Sequence, residues 1–177
     1  LCDKNVGIEL YGRNILQEMR GADGGIIPAA DYYVEGVSIY NNRITAAGYG
    51  INMNDAKNNK IISNTIIGDG YDNSDPQREQ YNGIRISTGS TGNVINSNTI
   101  SGIHQTGILL YDNASATTVN GNTISNCSAY GIRLNKNCSV TDSMKDNMIH
   151  GCPQGAILTG EKSGCTVANG ISQNTIQ

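Results

Sequence analysis

The sequence predicts a single all-β domain, a parallel β-solenoid of about seven turns with roughly 24 residues per turn. Three observations predict it. A six-residue pattern ending in Asn-x-Ile recurs six times along the 177 residues. A second pattern, Gly-apolar-x-apolar, interleaves with it, also in six copies. The composition is that of short strands and tight turns, with 23 Asn, 23 Ile and 22 Gly but no Phe or Trp.

The first pattern reads Ile39-x-x-Asn42-x-Ile44, Ile61-x-x-Asn64-x-Ile66 and Ile95-x-x-Asn98-x-Ile100. It continues as Val119-x-x-Asn122-x-Ile124, Met144-x-x-Asn147-x-Ile149 and Ile171-x-x-Asn174-x-Ile176. Successive Asn positions lie 22, 34, 24, 25 and 27 residues apart. The second pattern begins at Gly7, Gly50, Gly83, Gly107, Gly131 and Gly155, the last four spaced by 24. Each unit therefore holds about three short strands bounded by Gly, Asn and Ser, with no run of helical period. A lone unit cannot bury its apolar face, but units stacked with strands about 4.8 Å apart can. Ile and Val ladders then fill a narrow interior without large aromatics. Asn tolerates the left-handed backbone of a tight turn, and its amides can bond up the column. A leucine-rich repeat would want Leu at these positions and a helix in each unit, and both are missing.

Composition excludes several classes. Only 15% of residues are charged and the net charge is −3, which fits neither a disordered chain nor the basic face of a nucleic-acid binder. No apolar run approaches the length of a membrane span. The chain starts at Leu1, so it reads as processed or as a fragment of a longer protein, residues 1–177 forming one domain. The repeat continues almost to Gln177 with no segment resembling a cap. Open solenoid ends are adhesive, so the expectation is further sequence, a partner chain, or end-to-end and homo-oligomeric contacts.

The Gly-Ile-x-Leu strand followed by x-x-Asn-x-Ile resembles the repeats of the right-handed parallel β-helix superfamily, from about Val6 to Ile176. That group includes pectate lyases, polygalacturonases, mannuronan epimerases, phage tailspikes and NosD-like periplasmic proteins. The resemblance implies three strands per turn, with a substrate groove along the first strand and loops as its walls. It implies a polysaccharide partner and an extracellular or cell-surface site. It says little about chemistry, because the motif residues are structural. A NosD-like copper role finds no His and Met cluster here.

Alternation places Glu9 and Tyr11, Asn52 and Asn54, Arg85 and Ser87, Leu109 and Tyr111, Arg133 and Asn135, and Ile157 and Thr159 on the outer face of the first strand. Arg85, Tyr111 and Arg133 then lie within about 10 Å along the stack. Arginine forks bind carboxylates and tyrosine rings stack on sugars, so the row suits an acidic oligosaccharide. A lyase or epimerase removes the proton beside a uronate carboxylate and needs cations for the resulting charge. Arg85 and Arg133 could neutralise it, and Tyr111 or His104 could move the proton. Glu9, Asn52, Asn54, Tyr71, Asp112 and Asn135 are candidate sugar contacts. The 34-residue gap marks an insertion loop at residues 68–82, carrying Asp69, Asp72 and Asp75, which could bind Ca²⁺ although their spacing is not that of an EF-hand. Its Tyr71-Asp72-Asn73-Ser74-Asp75-Pro76-Gln77 run lacks the His of the motif found in the resembling epimerases.

Cys127 and Cys152 occupy one column and Cys138 and Cys165 another, so each pair stacks on adjacent turns, as buried thiols or as disulfides. Cys2 has no partner in the pattern, and none of the spacings is that of a zinc site. Thr65, Thr99, Thr123 and Thr175 form an outward column. Such a column can bind ice, but Arg43 and Met148 interrupt it and strand propensity accounts for it. Two functions remain: an enzyme of lyase or epimerase type on uronate-rich polysaccharide, or a non-catalytic glycan-binding or structural module such as an adhesin, stalk or tailspike segment.

Overall fold

The computed structural model describes residues 6–15, 19–20, 26–27, 30–46, 48–69 and 81–177. Three parallel sheets of six strands each form the walls of a solenoid. The first sheet stacks Ile8–Tyr11, Ile51–Asn54, Ile84–Ser87, Ile108–Tyr111, Tyr130–Asn135 and Gly155–Leu158. The second stacks Ser38–Tyr40, Lys60–Ile62, Asn93–Asn96, Ser115–Asn120, Ser139–Ser143 and Thr166–Val167. The third stacks Arg43–Ala46, Thr65–Gly68, Thr99–Ser101, Thr123–Ser125, Met148–His150 and Thr175–Ile176. Six strands per sheet make five steps from first rung to last, fewer than the seven turns expected. Among the described residues no helix is long and apolar enough to cross a membrane.

Ladders of like residues build the core. Ile51, Ile84, Ile108 and Ile132 are fully buried in one column of the first sheet, beside Met53, Ile86, Leu110 and Leu134. Ile66, Ile100, Ile124 and Ile149 do the same in the third. The glycine of the second motif is a requirement of this stacking. A Cβ on Gly83 would sit 2.6 Å from the Gly107 carbonyl oxygen, and one on Gly107 would sit 2.7 Å from that of Gly131.

Asn64, Asn98, Asn122 and Asn147 are buried, and of the two expected roles the repeat asparagines fill the amide column and not the left-handed turn position. The left-handed residue of each turn is the one before the Asn: Asn41, Ser63, Ser97, Gly121 and Asp146 all have positive φ. The Asn itself bonds along the stack. The side-chain amides of Asn42, Asn64, Asn98, Asn122 and Asn147 each donate to Oδ1 of the next Asn in the series, ending at Asn174. The same Oδ1 atoms accept the backbone N–H of the preceding Asn. A second, shorter amide column joins Asn59 and Asn93 at the corner between the first and second sheets. Buried polar groups need such partners, and the column supplies them at every turn.

Two departures from the repeat shape the molecule. The first turn is the longest, 43 residues from Ile8 to its partner Ile51. It contains an antiparallel excursion in which Arg13–Ile15 pairs with Ala30–Tyr32 and Met19–Arg20 pairs with Ile26–Ile27. Sequence reading missed it, because only the 68–82 insertion disturbs the Asn spacing. The second departure is a register correction at the last rung. Ile157 pairs with Ile132 and Leu158 with Arg133, so Ala156, not Gly155, continues the glycine column. The outward residue of that strand is therefore Leu158, and Ile157 packs against the core.

Candidate functional site

The outer face of the first sheet carries one continuous row: Glu9, Asn52, Arg85, Leu109, Arg133 and Leu158, each paired with the next. A second row, two residues further along each strand, holds Tyr11, Asn54, Ser87, Tyr111 and Asn135. The register thus brings Arg85, Tyr111 and Arg133 together as the alternation predicts. They line a cavity of about 340 Å³ with Tyr49, Leu109 and Asn135. Asn82 and Gln105 also line it, and among the described residues no carboxylate does. A second cavity of about 510 Å³ shares Arg133 and Asn135 and continues toward Leu158 and the short 3-10 turn Glu161–Ser163.

Arg85 is a held cation. Its Nη1 donates to Asn52 Oδ1 at 3.2 Å and to Asn54 Oδ1 at 3.4 Å. Its guanidinium lies over the rings of Tyr49 and Tyr111, 5.7 and 5.8 Å from their centroids, close enough for cation–π attraction. Tyr49 is in turn braced edge-on by Tyr81, with ring centroids 5.7 Å apart. Burial pushes the Tyr49 phenol above its ordinary pKa; Arg85 opposes this and Tyr81 adds to it. Arg133 is freer. It stacks at 5.4 Å over Tyr130, and its buried Nε has no hydrogen-bond partner among the described residues. The exposed Lys136 sits 4.7 Å from the Tyr111 ring, and bonding to Tyr111 raises the lysine's pKa.

The remaining candidates separate into supporting and distant groups. Asn52 is buried and, with Asn54, positions Arg85 instead of facing the cavity. Glu9 accepts the Asn52 amide at 2.9 Å, so it too belongs to this supporting chain. Asp112 stands past the strand end with positive φ and accepts from Asn113, outside the cavity lining. His104 does not line the cavity; its neighbour Gln105 does. Asp69 is exposed, while Tyr71, Asp72 and Asp75 lie outside the described residues. Among the described residues no group of three or more His, Cys, Asp or Glu could hold a metal ion.

Sequence reasoning missed Tyr49, Asn82, Gln105 and Tyr130. A signal for three of them was present. Tyr49, Asn82 and Tyr130 each immediately precede a motif glycine, and such residues stack through the glycine N–H groups, Gly50 to Asn82 and Gly107 to Tyr130. At two rungs, Tyr49 and Asn82, the position before the glycine lines the groove.

These features define a solenoid with a cationic, aromatic groove along one sheet. The chain matches the family model described as right handed beta helix region over residues 4–175, and it belongs to that family. Comparison with curated proteins and with solved structures finds no match.

Proposed function

We propose that the groove over the first sheet binds an acidic, uronate-containing polysaccharide laid along the stack. The observation that carries this reading is the cavity lining, which combines two arginines and two tyrosines with no carboxylate among the described residues. Two guanidinium forks with no acidic partner among the described lining residues favour a carboxylated ligand, and ring faces suit its pyranose rings. The second cavity, sharing Arg133 and Asn135, extends the path and favours a polymer over a small anion. Such polymers lie outside cells, which supports a secreted or cell-surface protein.

Lyase or epimerase chemistry is the second reading, and Arg133 favours it. Its buried Nε has no partner among the described residues, which suits a group that bonds to an incoming ligand. In that chemistry Arg85 and Arg133 would neutralise the uronate carboxylate while Tyr111 takes or gives the proton. A Ca²⁺ ion held by Asp69, Asp72 and Asp75 would add to the neutralisation. The non-catalytic module is favoured by Gln105 standing in the lining where His104 was expected.

Affinity electrophoresis against pectate, alginate and a neutral glucan tests the binding. Retardation by the acidic polymers only, weakened at least about tenfold in Arg133→Ala, is expected for loss of a charged hydrogen-bonding group. Equal retardation by the neutral glucan, or none by any polymer, overturns the reading. Ultraviolet absorbance of unsaturated product, with and without Ca²⁺, separates a lyase from a binding module.

A further inference from the structure

The corner where the third sheet turns into the first carries chemistry that glycan binding leaves unused. Cys127 lies two residues beyond Ser125 and Cys152 two beyond His150, and Ser125 pairs directly with His150. The two cysteines therefore stack on successive turns. Each sulfur faces the carbonyl two residues back, at 3.7 Å for Cys127 and 3.6 Å for Cys152. Their proximity moves the two thiols' pKa values in opposite directions, Cys127 up and Cys152 down. Stacked neighbours on parallel strands are about 4.8 Å apart at Cα, inside the range of about 4.4–6.8 Å that a disulfide spans. Access is unequal: Cys127 is fully buried, whereas Cys152 is partly exposed.

Cys138 and Cys165 also stack on successive turns, next to the pair Ser139 and Thr166. Their setting is different. The backbone N–H of Cys138 donates to Cys165 Sγ at 3.2 Å, as the N–H of Asn59 donates to Asn93 Oδ1. Cys165 thus fills a structural acceptor position, and both thiols are buried.

We propose that Cys152 and Cys127 form a thiol–disulfide exchange site for low-molecular-weight disulfides, with Cys152 attacking and Cys127 resolving. The Cys152 thiolate attacks one sulfur of the incoming disulfide, forming a mixed disulfide and expelling one thiolate, which takes up a proton. Cys127 then loses its proton and attacks the Cys152 sulfur, expelling the second thiol. The protein loses two hydrogens, and the small disulfide becomes two thiols. The division of labour follows from access, since an incoming disulfide can reach the partly exposed Cys152 and not the fully buried Cys127. The interaction between the two thiols supports it, lowering the Cys152 pKa to about 7 and pushing that of Cys127 up. An attacking thiol works best with a pKa near ambient pH. Burial pushes Cys138 up to about 11, which keeps the second pair out of the exchange.

The test uses the folded, reduced chain carrying Cys2→Ser, incubated with oxidised glutathione, quenched with acid and mapped by mass spectrometry. The expected product is the Cys127–Cys152 disulfide, with Cys138 and Cys165 still thiols. Cys127→Ser should accumulate the glutathione adduct on Cys152, and Cys152→Ser should slow reaction at Cys127 roughly tenfold or more. Oxidation of Cys138 and Cys165 at an equal rate overturns the proposal, as does a Cys127→Ser chain that gathers no adduct. Should a serine variant fail to fold, iodoacetamide alkylation of the Cys2→Ser chain decides the same point. Cys152 must then be modified before the other three cysteines.

Discussion

Replacing Asn98 with alanine tests the claim that the amide column, and not strand propensity, holds the turns in register. Asn98 is fully buried and its side chain makes four hydrogen bonds. Its Oδ1 accepts the backbone N–H of Asn64 at 3.0 Å and the Asn64 amide at 3.1 Å. Its Nδ2 donates to the Ile61 carbonyl at 2.9 Å and to Asn122 Oδ1 at 3.0 Å. Alanine strands the buried Asn64 N–H, at about 1–3 kcal/mol, and removes three further bonds of about 0.5–1.5 kcal/mol each. Partial relaxation brings the expected loss to about 3–5 kcal/mol. Asn42→Ala is the internal control. It occupies the same motif position at an exposed rung and should cost only about 1 kcal/mol. Urea unfolding followed by far-ultraviolet circular dichroism measures both. Equal losses at the two positions, or a loss under about 1 kcal/mol for Asn98→Ala, would refute the reasoning.

Other consequences follow from the same geometry. Gly107→Ala places a methyl 2.7 Å from the Gly131 carbonyl and 2.5 Å from Ile124 Cγ2, so a loss of about 2–3 kcal/mol is expected by the same urea assay. Thr123→Ala, on the outward column of the third sheet, should fall within about 0.5 kcal/mol of the parent protein. Alkylation of Cys152 should speed up as pH rises through about 7, because the thiolate is the reactive form. A stopped-flow pH profile rising only above pH 8.5, near an ordinary thiol pKa of about 8.5, would contradict this. Asn52→Ala should weaken acidic-glycan binding by loosening Arg85, and salt should weaken it further, both readable by affinity electrophoresis.

The fold was legible because stacking forces sequence to repeat. Every rung must present Gly where the next carbonyl approaches and Ile where the core narrows, so Gly83, Gly107 and Gly131 announce the period directly. What broke the period was harder to read. The strands Arg13–Ile15 and Ala30–Tyr32 pair with each other and answer to no rung, so they left no repeat to find. At the last rung one additional residue shifts the register while Gly155-Ala156-Ile157-Leu158 still spells the motif, and only strand pairing exposes the slip. The site was half legible. Alternation alone identified Arg85, Tyr111 and Arg133. Tyr130 opens its strand just before the motif glycine, and Tyr49 belongs to a connection, where no alternation dictates direction. Gln105 displaced His104 for the same reason.

The row Glu9–Asn52–Arg85–Leu109–Arg133–Leu158 also has a metric consequence. Each member sits on its own strand, so two groups in the row can be separated only by whole multiples of the strand spacing, about 4.8 Å. The face is a ruler with fixed graduations. Arg85 and Arg133 stand two graduations apart with Leu109 between them, which sets the pitch at which a bound chain must present its charges. Moving a charge along this surface needs no rebuilding of the scaffold. A charge placed at one rung stands one graduation from its neighbours, because the strand pairing fixes the backbone positions.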